Sequence, residues 1–174
     1  MKRLAIVLIL VVTAAVTYRS FGSAETGTGS LTLPQPAPAV GDTASEFTAK
    51  TVEGDDFELS DKGLYVLTFW STLNEGSNRA RPDFARVAQE YAEDGENGIH
   101  FAAVFVDSRA PSNGNAPYTR IEDRSGRLTS LYNVKRLPRT FLIHDGDVVL
   151  VQNGYYEENK KNLEDALDEA LKQS

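Results

Sequence analysis

Two almost uninterrupted apolar runs constrain this chain most. Leu64 to Trp70 reads LYVLTFW and Ile99 to Val106 reads IHFAAVFV. Runs of this length with no polar alternation suit strands buried on both faces of a sheet. Between them Phe84, Val87, Ala88, Tyr91 and Ala92 recur at the spacing of one helix face. A buried strand, an amphipathic helix and a second buried strand define a right-handed parallel crossover, so the chain belongs to the α/β class.

The flanking segments extend this pattern. Phe47 to Val52, a Glu53-Gly54-Asp55 turn and Phe57-Glu58-Leu59 predict a hairpin. Tyr118 to Ile121 predicts a short strand, and Arg124 to Tyr132 a short helix. Arg139 to His144 and Asp147 to Gln152 flank Asp145-Gly146, a two-residue hairpin turn. Leu163, Ala166, Leu167, Ala170 and Leu171 mark a closing amphipathic helix. The expected order is β-α-β followed by β-β-α.

The N-terminus reads as a targeting segment. Lys2 and Arg3 precede an uncharged stretch from Leu4 to Tyr18. Residues 1–21 are expected to be a retained single-pass anchor, with Lys2 and Arg3 cytoplasmic, or a signal peptide cleaved near Gly22-Ser23-Ala24. Either outcome places the rest outside the cytoplasmic membrane. Residues 22–40 form a linker, rich in Gly, Ser and Thr and then stiffened by Pro34, Pro36 and Pro38. The folded domain is expected over 41–174. Lys2, Arg3 and Arg19 oppose Glu25 in the first 40 residues, so the remainder carries −9 of the net −7. An acidic domain of this kind argues against nonspecific nucleic-acid binding.

The segment Phe69 to Phe84, FWSTLNEGSNRARPDF, resembles the active-site helix of the thioredoxin superfamily's membrane-anchored TlpA/ResA-like branch, which runs FWATWCxPCxxExPxL. Gly41-Asp42-x-Ala44-x-x-Phe47, Gly54…Leu59-Ser60-Asp61…Gly63 and Asn133-Val134-x-x-Leu137-Pro138-x-Thr140-Phe141-Leu142-Ile143 resemble further blocks of the same family in the same order. The resemblance covers about residues 40–174. It implies a thioredoxin-like fold, a central mixed sheet flanked by helices, with Pro82 kinking the active-site helix and Pro138 as the cis-proline facing that helix's start.

The departures are as informative as the matches. Asn74 and Ser77 stand where the two cysteines belong, and the chain has no cysteine. Disulfide exchange requires a thiolate nucleophile, which neither Asn nor Ser can supply. Leu73 replaces an aromatic, Ala80 a buried Glu that tunes the thiols in reductive members, and Arg139 the Thr or Ser that the family usually has after the cis-proline. The leading expectation is a redox-inactive, extracytoplasmic binding or assembly module, whose partners, by resemblance, belong to envelope redox or cytochrome c maturation systems. A thioredoxin-family oxidoreductase using non-thiol or partner-supplied chemistry, and a structural subunit of a membrane complex, are the alternatives.

No catalytic residue is expected. Ser77 as a nucleophile would need a nearby base such as His100 or His144; a capping or solvated role fits it better. No metal or cofactor is expected, because the carboxylate pairs Asp55-Asp56, Glu122-Asp123 and Glu157-Glu158 lie in separate segments. Trp70, Asn74, Ser77, Arg79, Arg136, Pro138 and Arg139 are the candidate binding residues. The thioredoxin arrangement brings Arg79, Arg81, Lys135, Arg136 and Arg139 around the former redox site, beside a helix N-terminus with free N–H donors. The expected partner is an envelope protein offering an acidic or extended segment to the cis-proline groove, or a small anion. Local pairing of Arg79 with Asp83 and Arg86 with Glu90 is the competing expectation.

Overall fold

The structure is a computed structural model that describes residues 36–92, 98–111, 116–154 and 156–173. The expected anchor or signal segment and most of the linker lie outside the described residues. No helix among the described residues is long and apolar enough to cross a membrane.

Strands β1 (Phe47–Lys50) and β2 (Asp56–Leu59) pair antiparallel as a separate two-stranded sheet. Strand β3 (Leu64–Trp70) leads to helix α1 (Glu75–Ala92), then to β4 (Ile99–Val106) and β5 (Thr119–Asp123). A short helix α2 (Arg127–Leu131) precedes the hairpin of β6 (Arg139–His144) and β7 (Asp147–Asn153), and helix α3 (Glu158–Leu171) closes the domain. The main sheet has the order β5-β4-β3-β6-β7. Strands β3, β4 and β5 run parallel, and β6 and β7 are antiparallel to their neighbours. The expected short strand and short helix are present with shifted bounds.

The apolar run of β3 divides by alternation into two cores. Tyr65, Leu67 and Phe69 face one side, where Phe47, Phe57, Tyr132 and Phe141 pack. Val66 and Trp70 face the other, against Phe84, Val87 and Ala88 of α1 and Leu163 and Leu167 of α3. Each fully buried aromatic or aliphatic side chain contributes roughly 1.5–3 kcal/mol of transfer free energy. This two-sided burial is why the run tolerates no polar residue except Thr68, whose hydroxyl is bonded to that of Thr140.

Three polar devices hold the periphery. The buried Asp123 carboxylate accepts hydrogen bonds from Leu128 N (3.2 Å), Thr129 N (2.8 Å) and Thr129 Oγ1 (2.6 Å), fastening the start of α2. Asp145, at φ 48, and Gly146, at φ 83, form the β6–β7 turn. A Cβ on Gly146 would sit 3.3 Å from Asp61 O, so the position needs glycine for space as well as conformation. Gly41 N donates to Val148 O and Val148 N to Asp42 O, so the domain entry runs along the outer edge of β7.

Candidate functional site

The site lies where β3 ends and α1 begins. Ser71 is buried, Leu73 is 86% exposed, and α1 starts one residue after Asn74. Asn74 is the helix cap: its Oδ1 accepts from Ser77 N at 2.8 Å and from Ser77 Oγ at 3.1 Å. Ser77 Oγ accepts in turn from Ser71 N at 3.3 Å, and Leu73 N donates to Ser71 Oγ at 3.2 Å. Asn78 N reaches Asn74 O at 3.0 Å, and Asn78 Nδ2 reaches Thr72 O at 2.9 Å. The two residues in the cysteine positions therefore bond to each other.

Two expectations are corrected here. Ser77 is neither cap nor solvated: it is 2% exposed, with its hydroxyl between Asn74 and Ser71. Its backbone N–H and that of Asn78 are already engaged, so those donors are not free for an anion. An Asn immediately before a helix is a capping signal readable from sequence. No histidine serves Ser77 among its hydrogen-bond partners. His100 lies at the start of β4, stacked on Tyr65, and His144 at the end of β6.

The Leu137–Pro138 peptide is cis, and Pro138 packs against the first turn of α1. A Cβ on Gly76 would lie 3.3 Å from Pro138 Cδ, so glycine permits this close approach. Gly154 N donates to Pro138 O at 2.8 Å. Beneath, a cavity of about 40 Å³ is bounded by Trp70, Ala80, Phe84, Pro138, Thr140 and Leu163. Ala80 leaves this space open because its side chain stops at Cβ. Trp70 is 2% exposed, held edge-on by Phe84, Phe105 and Tyr118, so its ring is core.

The five cations do not form one ring. Arg79 Nε lies 3.8 Å from Glu75 Oε1, four residues before it rather than after. Arg86 pairs with Asp83 at 2.7 Å, not with Glu90. Lys135 and Arg136 are exposed and have no acidic partner among the described residues. Arg139 crosses to the other face of the sheet. Its guanidinium lies 4.9 Å from the centre of the Phe141 ring and donates to Asn153 Oδ1 at 2.8 Å, with Pro38 O at 3.5 Å. Its buried Nε has no acceptor, and burial holds the guanidinium pKa below the usual arginine value. Arg81 turns to the flank of α1, toward Tyr118 and Arg120.

A cis-proline against the start of a helix that follows the central strand, in a sheet of this order, defines a thioredoxin-like domain. Here the domain lacks the cysteine pair. The chain belongs to the AhpC/TSA family, whose model matches residues 40–151. It is similar to the thiol-disulfide oxidoreductase ResA of Geobacillus kaustophilus, 30% identical over 128 residues that cover 68% of this chain and 71% of the relative. Among solved structures it resembles a candidate thiol:disulfide interchange protein DsbE from Chlorobium tepidum at TM-score 0.66 and 26% identity, covering 78% of this chain and 99% of that one. It also shares its fold with a secreted Mycobacterium tuberculosis disulfide oxidoreductase, TM-score 0.58 and 22% identity, over 71% of this chain and 95% of that one. The chain is thus a ResA/DsbE-like redoxin domain without the family's thiol chemistry.

Proposed function

We propose that this protein is a redox-inactive binding or assembly module of the cell envelope, working alongside thiol-redox or cytochrome c maturation proteins. The observation that carries this reading is the closed Asn74–Ser77–Ser71 hydrogen-bond network. It replaces a reactive dithiol with a self-satisfied helix cap while leaving the cis-proline edge beside it in place. A nucleophile would have to be exposed and activated by a base; Ser77 is neither. Next to the network the exposed side chain of Leu73 offers an apolar contact, and Arg136 and Lys135 offer positive charge to an acidic or extended segment. In this reading residues 1–21 act as anchor or cleaved signal, and the domain lies outside the cytoplasmic membrane.

The names of its relatives favour a second reading, an oxidoreductase whose thiols come from a partner. Site-specific photo-crosslinking from position 73 in intact cell envelopes separates the two. This side chain points to solvent and is not part of the cap. A dominant protein adduct that persists when the partner's cysteines are alkylated supports the binding module. An adduct that forms only with free partner thiols, together with partner-dependent disulfide reduction, supports the second. Absence of any adduct at 73, with the chain folded, sinks both readings of this edge.

A further inference from the structure

The segment 124–139, RSGRLTSLYNVKRLPR, holds Arg124, Arg127, Lys135, Arg136 and Arg139 and no acidic residue. Removing these five charges from a domain of −9 leaves −14 elsewhere. The segment folds as α2 and the loop to Pro138. Leu128, Tyr132 and Val134 are buried on the face of the sheet opposite α1 and α3. Arg124, Arg127, Ser130, Leu131, Lys135 and Arg136 are exposed. Arg124 pairs with Glu122, and Arg127 Nη2 donates to Thr48 O at 2.6 Å. Lys135 and Arg136 have no acidic partner among the described residues, and Glu46 and Glu58, at the adjoining hairpin, form no ion pair with any of these cations. The chain also enters the domain on this face: Pro38 is buried, with its carbonyl oxygen 3.5 Å from Arg139 Nη2.

We infer that this face docks on an anionic lipid surface, which goes beyond the reading above. Each Lys or Arg close to an anionic bilayer is drawn to the headgroup phosphates, and the attraction falls off within a Debye length. Cations spread over an exposed helix and loop meet a planar array of phosphates together. Leu131, exposed among them, is an apolar side chain for the headgroup boundary, and the stems of Lys135 and Arg136 can lie along the same boundary. The −14 elsewhere is repelled by such a surface, so this face is the one it accepts. Charge alone would also suit an acidic peptide. The entry of the chain beside Arg139 favours the bilayer, because the segment expected to meet the membrane, residues 1–21, is joined to the domain there. The docking face shares Lys135 and Arg136 with the cis-proline reading but does not use Leu73.

The test uses the full-length chain on vesicles of phosphatidylcholine, alone or with phosphatidylglycerol added. The chain has no cysteine, so Ser130→Cys carries a single nitroxide on the exposed side of α2, and Asn162→Cys carries a control on the exposed side of α3. Power saturation with a water-soluble nickel chelate reads how far each label is shielded. Position 130 should be shielded on the anionic vesicles and not on the neutral ones, position 162 on neither. Shielding should vanish at about 1 M salt, where the Debye length is about 3 Å. Lys135→Gln with Arg136→Gln should lower the docked-to-free ratio about thirtyfold, the worth of two cations at the surface. Leu131→Ser should lower it about tenfold. Leu73→Ser should leave docking unchanged while removing the apolar contact of the cis-proline reading, so the two readings fail separately. Equal shielding at 130 and 162, equal shielding on neutral vesicles, persistence at high salt or unchanged docking without the two cations would overturn the inference. Shielding of position 130 by an oligoglutamate peptide, with none by anionic vesicles, would give the face to an acidic protein segment and overturn the lipid surface as its occupant.

Discussion

Asn74 shows how one side chain can replace a reactive group with a stabilising one. Its amide oxygen accepts two hydrogen bonds from Ser77 at the first turn of α1. Asn74→Ala should cost about 1 kcal/mol of unfolding free energy, the usual worth of an N-cap. Asn74→Asp should cost nothing or stabilise slightly, because a negative charge there favours the helix dipole. Urea denaturation of the three proteins checks both. Arg139 presents the opposite case, a half-buried cation whose side-chain partner is a neutral amide, Asn153. Asn153→Asp should stabilise the fold by roughly 0.5–1 kcal/mol, the difference between a neutral and a charged acceptor after solvent screening. A lower denaturation midpoint in that variant would show that Arg139 is already satisfied.

At the scale of elements, the β1–β2 turn is tied to the sheet edge. Val52 N donates to Arg120 O at 2.8 Å, and Glu53 pairs with the Arg120 side chain. The Arg120 hydrogen bond holds the Glu53 carboxyl below its ordinary pKa of 4.5, against a smaller opposing effect of burial. A carboxyl lowered in the folded state contributes stability that is present above its unfolded pKa and is lost as pH falls through the folded one. Thermal stability should therefore fall as pH drops below about 4.5, and Glu53→Gln should make that fall shallower. Melting curves between pH 6 and about pH 3 read the effect directly. Glu122 adds to the same acid slope, since its bond from Arg124 also lowers its pKa, so Glu53→Gln removes only part of it.

For the whole molecule, the thiol framework survives without its thiols. The central strand, the helix start and cis-Pro138 are in place, and the cysteine pair is absent. The native chain should show no dithiothreitol-dependent insulin reduction. The double variant Asn74→Cys/Ser77→Cys should form an internal disulfide and acquire measurable reductase activity, because a helix N-terminus lowers a thiol pKa toward the reactive range. A double variant that folds and oxidises yet stays inactive would mean that the redox role was lost from the surroundings as well, Ala80 and Arg139 being the first places to look. The fold was legible because it is carried by periodicity. Alternating buried positions in β3, the helix face from Phe84 to Tyr91 and the Asp145-Gly146 turn are local patterns that survive without any reactive group. The cation ring was not legible, because side-chain direction depends on which face each element buries. Arg139 alternates with Thr140 along β6 and so lies on the Phe141 side, away from α1.

The sequence alone determined that thiol catalysis is absent, that two buried parallel strands flank one helix, and that the domain is acidic. Each of these follows from residue identity or near-neighbour spacing. Only the tertiary structure decided that Trp70 is core, that Arg81 joins Tyr118 and Arg120, and that Arg139 reaches Pro38 across the chain. These depend on contacts between residues distant in sequence, set by how the helices and strands pack, and no local pattern encodes them.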